Sequence, residues 1–208
     1  MTVRLHRGDL SNLNAYKGAV AIDTETMGLD PSRDRLCVVQ LSPGDGSADV
    51  VQIAAGQTSA PNIQRLLADR AVLKIFHYGR FDIGVLYKAF GVMAEPVYCT
   101  KIASRLARTY TDRHGLKDLA RELIGVDLSK QQQSSDWGAE TLTDPQVAYA
   151  ATDVLHLHAL MDKLNAMLAR EGRADLAKAS FGFLPDRVRL DLGGWANEDI
   201  FSHSATRT

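Results

Sequence analysis

The chain has 208 residues, of which 45% are hydrophobic and 24% charged, with a formal net charge of −1. That is the composition of a globular protein with one ample core, and its near-neutrality excludes a protein that coats duplex nucleic acid non-specifically, which needs a basic excess. No apolar run approaches the ~20 residues of a membrane helix, and MTVRLHRGDL at the start lacks the apolar stretch of a signal peptide, so a cytoplasmic location is expected.

The first strand signal is the apolar run ending in acids over Gly18–Glu25. Leu36–Pro43 and Ala48–Ile53 follow, separated by the turn-rich Gly44-Asp45-Gly46-Ser47. Three strands with short connections predict an antiparallel meander. A helix begins at Pro61, with proline tolerated in the first turn. Val72–Phe76 reads as a short strand, Arg80–Phe90 as a helix closed by Gly91, Val97–Cys99 as a brief strand, and Ile102–Ala107 as a helix. Leu116–Ile124 is a helix stopped by Gly125, and one long helix is predicted from Asp144 to about Arg170, with Thr143 or Asp144 as its cap. The stretch after Gly172 keeps Phe, Leu and Trp residues and is expected to pack on the same domain, with the last residues frayed. Cys37 and Cys99 form no disulfide framework and no zinc pattern, and read as buried structural thiols.

Antiparallel strands, then strand–helix alternation, then helices predict an α/β fold: a mixed central β-sheet flanked by helices. The expected organisation is one domain over 1–208, with a core at about 18–170 and an extension at 171–208 packed on it.

Three segments carry chemistry. In Ile22-Asp23-Thr24-Glu25-Thr26, strand alternation points Asp23 and Glu25 the same way. Two like charges side by side on a buried strand repel, and a divalent cation between them is the natural compensation; a solvated strand end is the alternative. Asp82 falls in the first turn of a helix, where it could also serve the helix dipole alone. Tyr149 and Asp153 stand at i and i+4, on one helical face, as a working pair or an incidental one. Alanines at 148, 150 and 151 would let that helix approach a neighbour closely. Oxygen-only ligands suit Mg²⁺ or Mn²⁺.

Together the segments DTETMGL, HYGRFDIGVL and YAATDVLHL resemble the three exonuclease motifs of the DEDD superfamily, and the Y-x-x-x-D form marks its DEDDy branch. The flanks GLKDLARELIGVDLSKQQQSSDW and LTDPQVAYAATDV resemble the ribonuclease D family, so that the likeness runs from about residue 18 to 160. The resemblance implies a ribonuclease H-like fold, action on single-stranded nucleic acid with a free 3′ end, release of 5′-mononucleotides, and two divalent cations about 4 Å apart, Mg²⁺ or Mn²⁺. It implies that Asp23 bridges both ions, that Glu25 and Asp153 hold the one activating water, that Asp82 holds the other, and that Tyr149 orients the water. Two departures stand out: Tyr78 replaces an asparagine frequent in the family, and a short form without the helical HRDC domains of longer members is expected.

For the substrate, Met27 and Leu29 are expected to form an apolar wedge under the terminal base, as residues after D-x-E do in relatives. His77, Arg80 and Lys130 are further candidates, and Lys101, Arg113, His114 and Lys117 are basic residues for the backbone; packed or solvated roles are the alternatives for each. Arg113-His114-Gly115 could meet a phosphate where the next helix starts. The flanks favour RNA over DNA. A DNA exonuclease shares the same motifs. An inactive binding protein on this fold is disfavoured by the presence of all four carboxylates, and no G-x-G-x-x-G follows the first strand.

Overall fold

The computed structural model describes residues 2–31, 33–128 and 135–203. Its centre is a six-stranded sheet in the order β1-β4-β3-β2-β5-β6. These strands are β1 (Thr2–Arg7), β2 (Ala19–Thr26), β3 (Leu36–Ser42), β4 (Ser47–Gln52), β5 (Leu73–Phe76) and β6 (Val97–Cys99). β2, β3 and β4 form the predicted antiparallel meander, while β5 and β6 add in parallel beyond β2. Every residue of β3 is buried, as a central strand covered on both faces requires.

β1 is an element that the pattern reading missed. It pairs in parallel with β4, and its apolar residues are few because side chains of opposite polarity hold it. Asp49 on β4 accepts from Arg4 Nε at 2.6 Å and lies 2.7 Å from His6 Nε2, and the Tyr16 hydroxyl also donates to it. Burial alone would push the Asp49 carboxyl up. The hydrogen bonds from Arg4, Tyr16 and His6 outweigh it and hold the carboxyl at about 2. No local pattern could forecast a partner 45 residues away.

The helices are α1 (Pro61–Ala68), α2 (Gly79–Phe90), α3 (Thr100–Ala107), α4 (Leu116–Leu119), α5 (Asp144–Leu155), α6 (Leu157–Arg170) and α7 (Ala174–Leu190). α4 runs on into a wider π-turn over Ala120–Ile124, and Gly125 closes it with φ 68°. Thr143 is the cap of α5, in a reciprocal capping box with Gln146. The long helix expected from Asp144 to Arg170 is in fact two, broken at His156 (φ −108°, ψ −5°). The break follows the sheet: α5 packs across β2, β3 and β4, whereas α6 packs on β5 and α3. α7 packs on α2, α3 and β6; its Ala177, Phe181, Leu184 and Val188 join the core, whereas Trp195, Ile200 and Phe201 beyond it are exposed. Both cysteines are buried and free. Among the described residues no helix is long and apolar enough to cross a membrane.

Candidate active site

Alternation along β2 sends Asp23 and Glu25 to the face that α5 covers. Ala150 and Ala151 on that helix are fully buried and let its backbone approach the sheet. Ala148 faces solvent instead. One turn of α5 then delivers Tyr149 and Asp153 over the end of β2. Carboxylate oxygens of Asp23, Glu25 and Asp153 all lie within 4.8 Å of one another. They line a cavity of about 370 Å³ together with Tyr149, His77 and Leu29.

Asp82 arrives from α2. The connection between β5 and α2 turns at Tyr78, which adopts the left-handed conformation (φ 64°, ψ 39°). Gly79 follows, where a Cβ would meet the Phe76 Cβ at 2.7 Å. This tight turn brings Asp82 back to β2, where its Oδ1 accepts from the Thr24 hydroxyl at 2.7 Å. Asp82 is 3% exposed and sits beneath the cavity surface, close enough that its charge is the strongest of the three acting on Asp23. An asparagine tolerates the left-handed conformation better than most residues; Tyr78 adopts it with its ring under the Lys101 ammonium, 4.4 Å from the ring centroid.

The electrostatics reflect crowding. Burial, then Asp82, Asp153 and Glu25, push the Asp23 carboxyl well above the usual range. Burial, then Asp153 and Asp82, push Glu25 to about 8. Burial raises Asp82 and Asp153 to about 7 each, against hydrogen bonds from Thr24 and Tyr149. Tyr149 is raised by burial and by the charges of Asp153, Glu25 and Asp23, so its hydroxyl keeps its proton and donates to Asp153. The buried Trp137 ring lies 6.1 Å from the Tyr149 ring, tilted by 36°, and packs behind it, a contact that the motif reading did not anticipate. Four carboxyls whose charged forms are disfavoured by one another, with oxygen donors only, fit a hard divalent cation.

The other candidates divide. Leu29 is 90% exposed at the cavity mouth. Met27 is also exposed but turns its sulfur toward Gly138, where an added Cβ would lie 2.3 Å from Sδ. His77 lines the cavity, with Nδ1 2.9 Å from the Thr100 hydroxyl. That hydroxyl spends its proton on the Phe76 carbonyl, so Nδ1 carries the ring proton and Nε2 is an acceptor. Burial, then Lys101, hold His77 down to about 3, and the ring is neutral. Arg80 is drawn away from the cavity: it forks onto Asp191 and donates to the Ala196 carbonyl at 2.7 Å, fastening the C-terminal turn. Lys101 stands on Tyr78, Arg113 is 3.8 Å from Glu122, and His114 Nδ1 is 2.9 Å from the Ser104 hydroxyl. Lys117 and Gly115 do line the cavity. Lys130 lies outside the described residues.

Comparison with known proteins agrees with this geometry. Residues 9–169 match a family described as 3′-5′ exonuclease. Ribonuclease D of Granulibacter bethesdensis is 36% identical over 167 residues, covering 80% of this chain and 42% of that protein; the chain thus spans about two-fifths of such relatives. Structures of Brucella melitensis NrnC, one with bound Mg²⁺ and one bound to pGG, are 61% and 62% identical. Each covers 98% of this chain and 100% of the other, with a TM-score of 0.95. Escherichia coli RNase D is 26% identical with a TM-score of 0.74, over 84% of this chain and 46% of that one. With the family matched over residues 9–169 and Asp23, Glu25 and Asp153 gathered in one cavity with Asp82 behind them, the chain belongs to the 3′–5′ exonucleases of the ribonuclease D type.

Proposed function

We propose that the chain, as one exonuclease domain, removes 5′-mononucleotides from the 3′ ends of short single-stranded RNA by two-metal-ion hydrolysis. The observation that carries this reading is the cluster of Asp23, Glu25 and Asp153 oxygens within 4.8 Å, with Tyr149 on its rim and Asp82 behind it.

Asp23, at the centre of the cluster, would bridge two cations; Glu25 and Asp153 would complete one site, and Asp82, set deeper, the other. Bound Mg²⁺ or Mn²⁺ would supply a lowered pKa for the attacking water and charge neutralisation at the phosphate and leaving oxygen. The chain's own residues do the rest. Tyr149, protonated and tied to Asp153, orients a water by its hydroxyl rather than acting as a free base. Leu29 offers an apolar edge for the terminal base to stack on. Lys117, in the lining of the same cavity, provides positive charge.

RNA is favoured over DNA on two grounds. The ribonuclease D relatives point to RNA, and the NrnC structure bound to pGG points to a short substrate. His77, with a neutral acceptor nitrogen in the cavity wall, suits a ribose hydroxyl, the group that distinguishes RNA from DNA. The test is digestion of matched 5′-labelled RNA and DNA oligonucleotides with Mg²⁺, Mn²⁺ or EDTA, for the wild type and His77→Phe. The proposal expects faster shortening of RNA and a smaller RNA-to-DNA ratio in the variant. Faster digestion of DNA by the wild type would overturn the RNA assignment.

A further inference from the structure

Gln40 lies in the middle of β3 and is completely buried, yet neither its carboxamide oxygen nor its nitrogen has a hydrogen-bond partner among the described residues. Buried amides are nearly always paired, and an unpaired end costs about 1–3 kcal/mol. Val38, Val39 and Leu41 beside it are apolar and equally buried, so packing alone does not call for an amide here.

The register shows what does. Gln40 is directly opposite Asp23 on β2 and opposite Val50 on β4. Opposed residues of antiparallel strands share a face, with Cβ atoms about 4.5–5.5 Å apart. Gln40 therefore stands beside the central carboxylate of the acidic cluster. Val50 is apolar, and the helix lying over β3 buries Ala150, Ala151 and Val154. The buried polar residue of that helix, Gln146, has its own amide engaged by Thr143 and the Asp136 carbonyl. Asp23 is thus the polar side chain that the register places directly opposite Gln40. A backbone N–H of Thr24 already donates to that carboxylate, and Gln40 stands across from it on the neighbouring strand.

Resting on the reading that Asp23 holds metal, we infer that Gln40 is a positioning residue for the Asp23 carboxylate. Its Nε2–H donates to an Asp23 oxygen, directly or through one water, when that carboxylate is ionised around a cation. The bond fixes the rotamer in which Asp23 faces Glu25 and Asp153. The two side chains are not hydrogen-bonded in the present arrangement, so the contact belongs to the cation-loaded state and its effect is read in cation affinity. Groups that orient a metal ligand typically account for 10–100-fold in affinity.

The test measures Mn²⁺ binding by the electron paramagnetic resonance signal of free Mn²⁺, for the wild type, Gln40→Met and Asp23→Asn, with thermal melts in EDTA. Methionine keeps the length and volume of glutamine and removes the donor. The expected result is a dissociation constant 10–100-fold weaker in Gln40→Met, an EDTA melting temperature equal to or above that of the wild type, and turnover that recovers at high Mn²⁺. A Gln40→Met affinity within twofold of the wild type overturns the inference. So does a joint fall of affinity and EDTA stability, which would mark Gln40 as purely structural. If instead the wild type binds no Mn²⁺, or Asp23→Asn binds it equally, the metal reading itself fails and this inference falls with it.

Discussion

Replacing Glu25 by Gln should make the metal-free protein more stable while weakening its response to metal. Glu25 rises from 4.5 to about 8 through burial and the charges of Asp153 and Asp82. Such a displacement corresponds to roughly 5 kcal/mol between its charged and neutral forms. Water in the open cavity and proton uptake by its neighbours reduce this to about 1–2 kcal/mol of recoverable stability. The sign depends on pH. Below about pH 4.5 the carboxyl is protonated in folded and unfolded chains alike, and the substitution is neutral. Between 4.5 and about 8 the unfolded chain has lost the proton that the folded chain retains, so wild-type stability falls as pH rises. The gain from Glu25→Gln should grow across that window and level off above it. For a chain of this size the gain is about 3–7 °C in melting temperature, measured in EDTA at pH 5 and pH 8. Added Mn²⁺ should then raise the wild type more than the variant, since binding to the folded state stabilises by mass action. A variant no more stable than the wild type at pH 8 in EDTA, or a gain that ignores pH, would refute the reasoning.

Three further predictions concern other parts of the frame. Tyr149→Phe should keep fold and Mn²⁺ affinity but lower turnover on RNA by about 10²–10⁴-fold; single-turnover cleavage at saturating metal checks it, and unchanged turnover removes Tyr149 from the chemistry. Tyr78→Asn should stabilise the protein by about 0.5–1 kcal/mol, because relief of the left-handed backbone at Tyr78 (φ 64°) exceeds the lost contact with Lys101; denaturant melts decide the sign. Asp49→Asn should destabilise by about 2–3 kcal/mol at pH 7, since it removes the charged acceptor shared by Arg4, Tyr16 and His6. Because Asp49 is held at about 2, below its ordinary 3.8, that difference should be complete above pH 4 and fade as pH falls through 2, with β1 amides losing hydrogen-exchange protection first.

Much of the fold was legible because its signals are local. The meander from Ala19 to Gln52, the Gly91 and Gly125 stops and the Thr143 cap follow from alternation and terminus chemistry. The convergence of the Asp23, Glu25 and Tyr149/Asp153 segments was legible from spacing together with family likeness, not from any segment alone. What escaped depended on distant partners. β1 rests on Asp49, the break at His156 rests on the path of α5 and α6 across different strands, and Arg80 is claimed by Asp191, 111 residues on. Gln40 illustrates the same limit: within LCVVQLS it reads as one polar residue in a strand, and only the register with Asp23 gives it meaning.

The most direct test of the central claim is a product time course on one 5′-labelled single-stranded RNA, comparing the wild type with Asp23→Asn in Mg²⁺ and in EDTA. The account predicts a ladder that shortens from the 3′ end and releases 5′-mononucleotides with the wild type in Mg²⁺ only. A ladder that persists in EDTA, or in Asp23→Asn at the same rate, would contradict it.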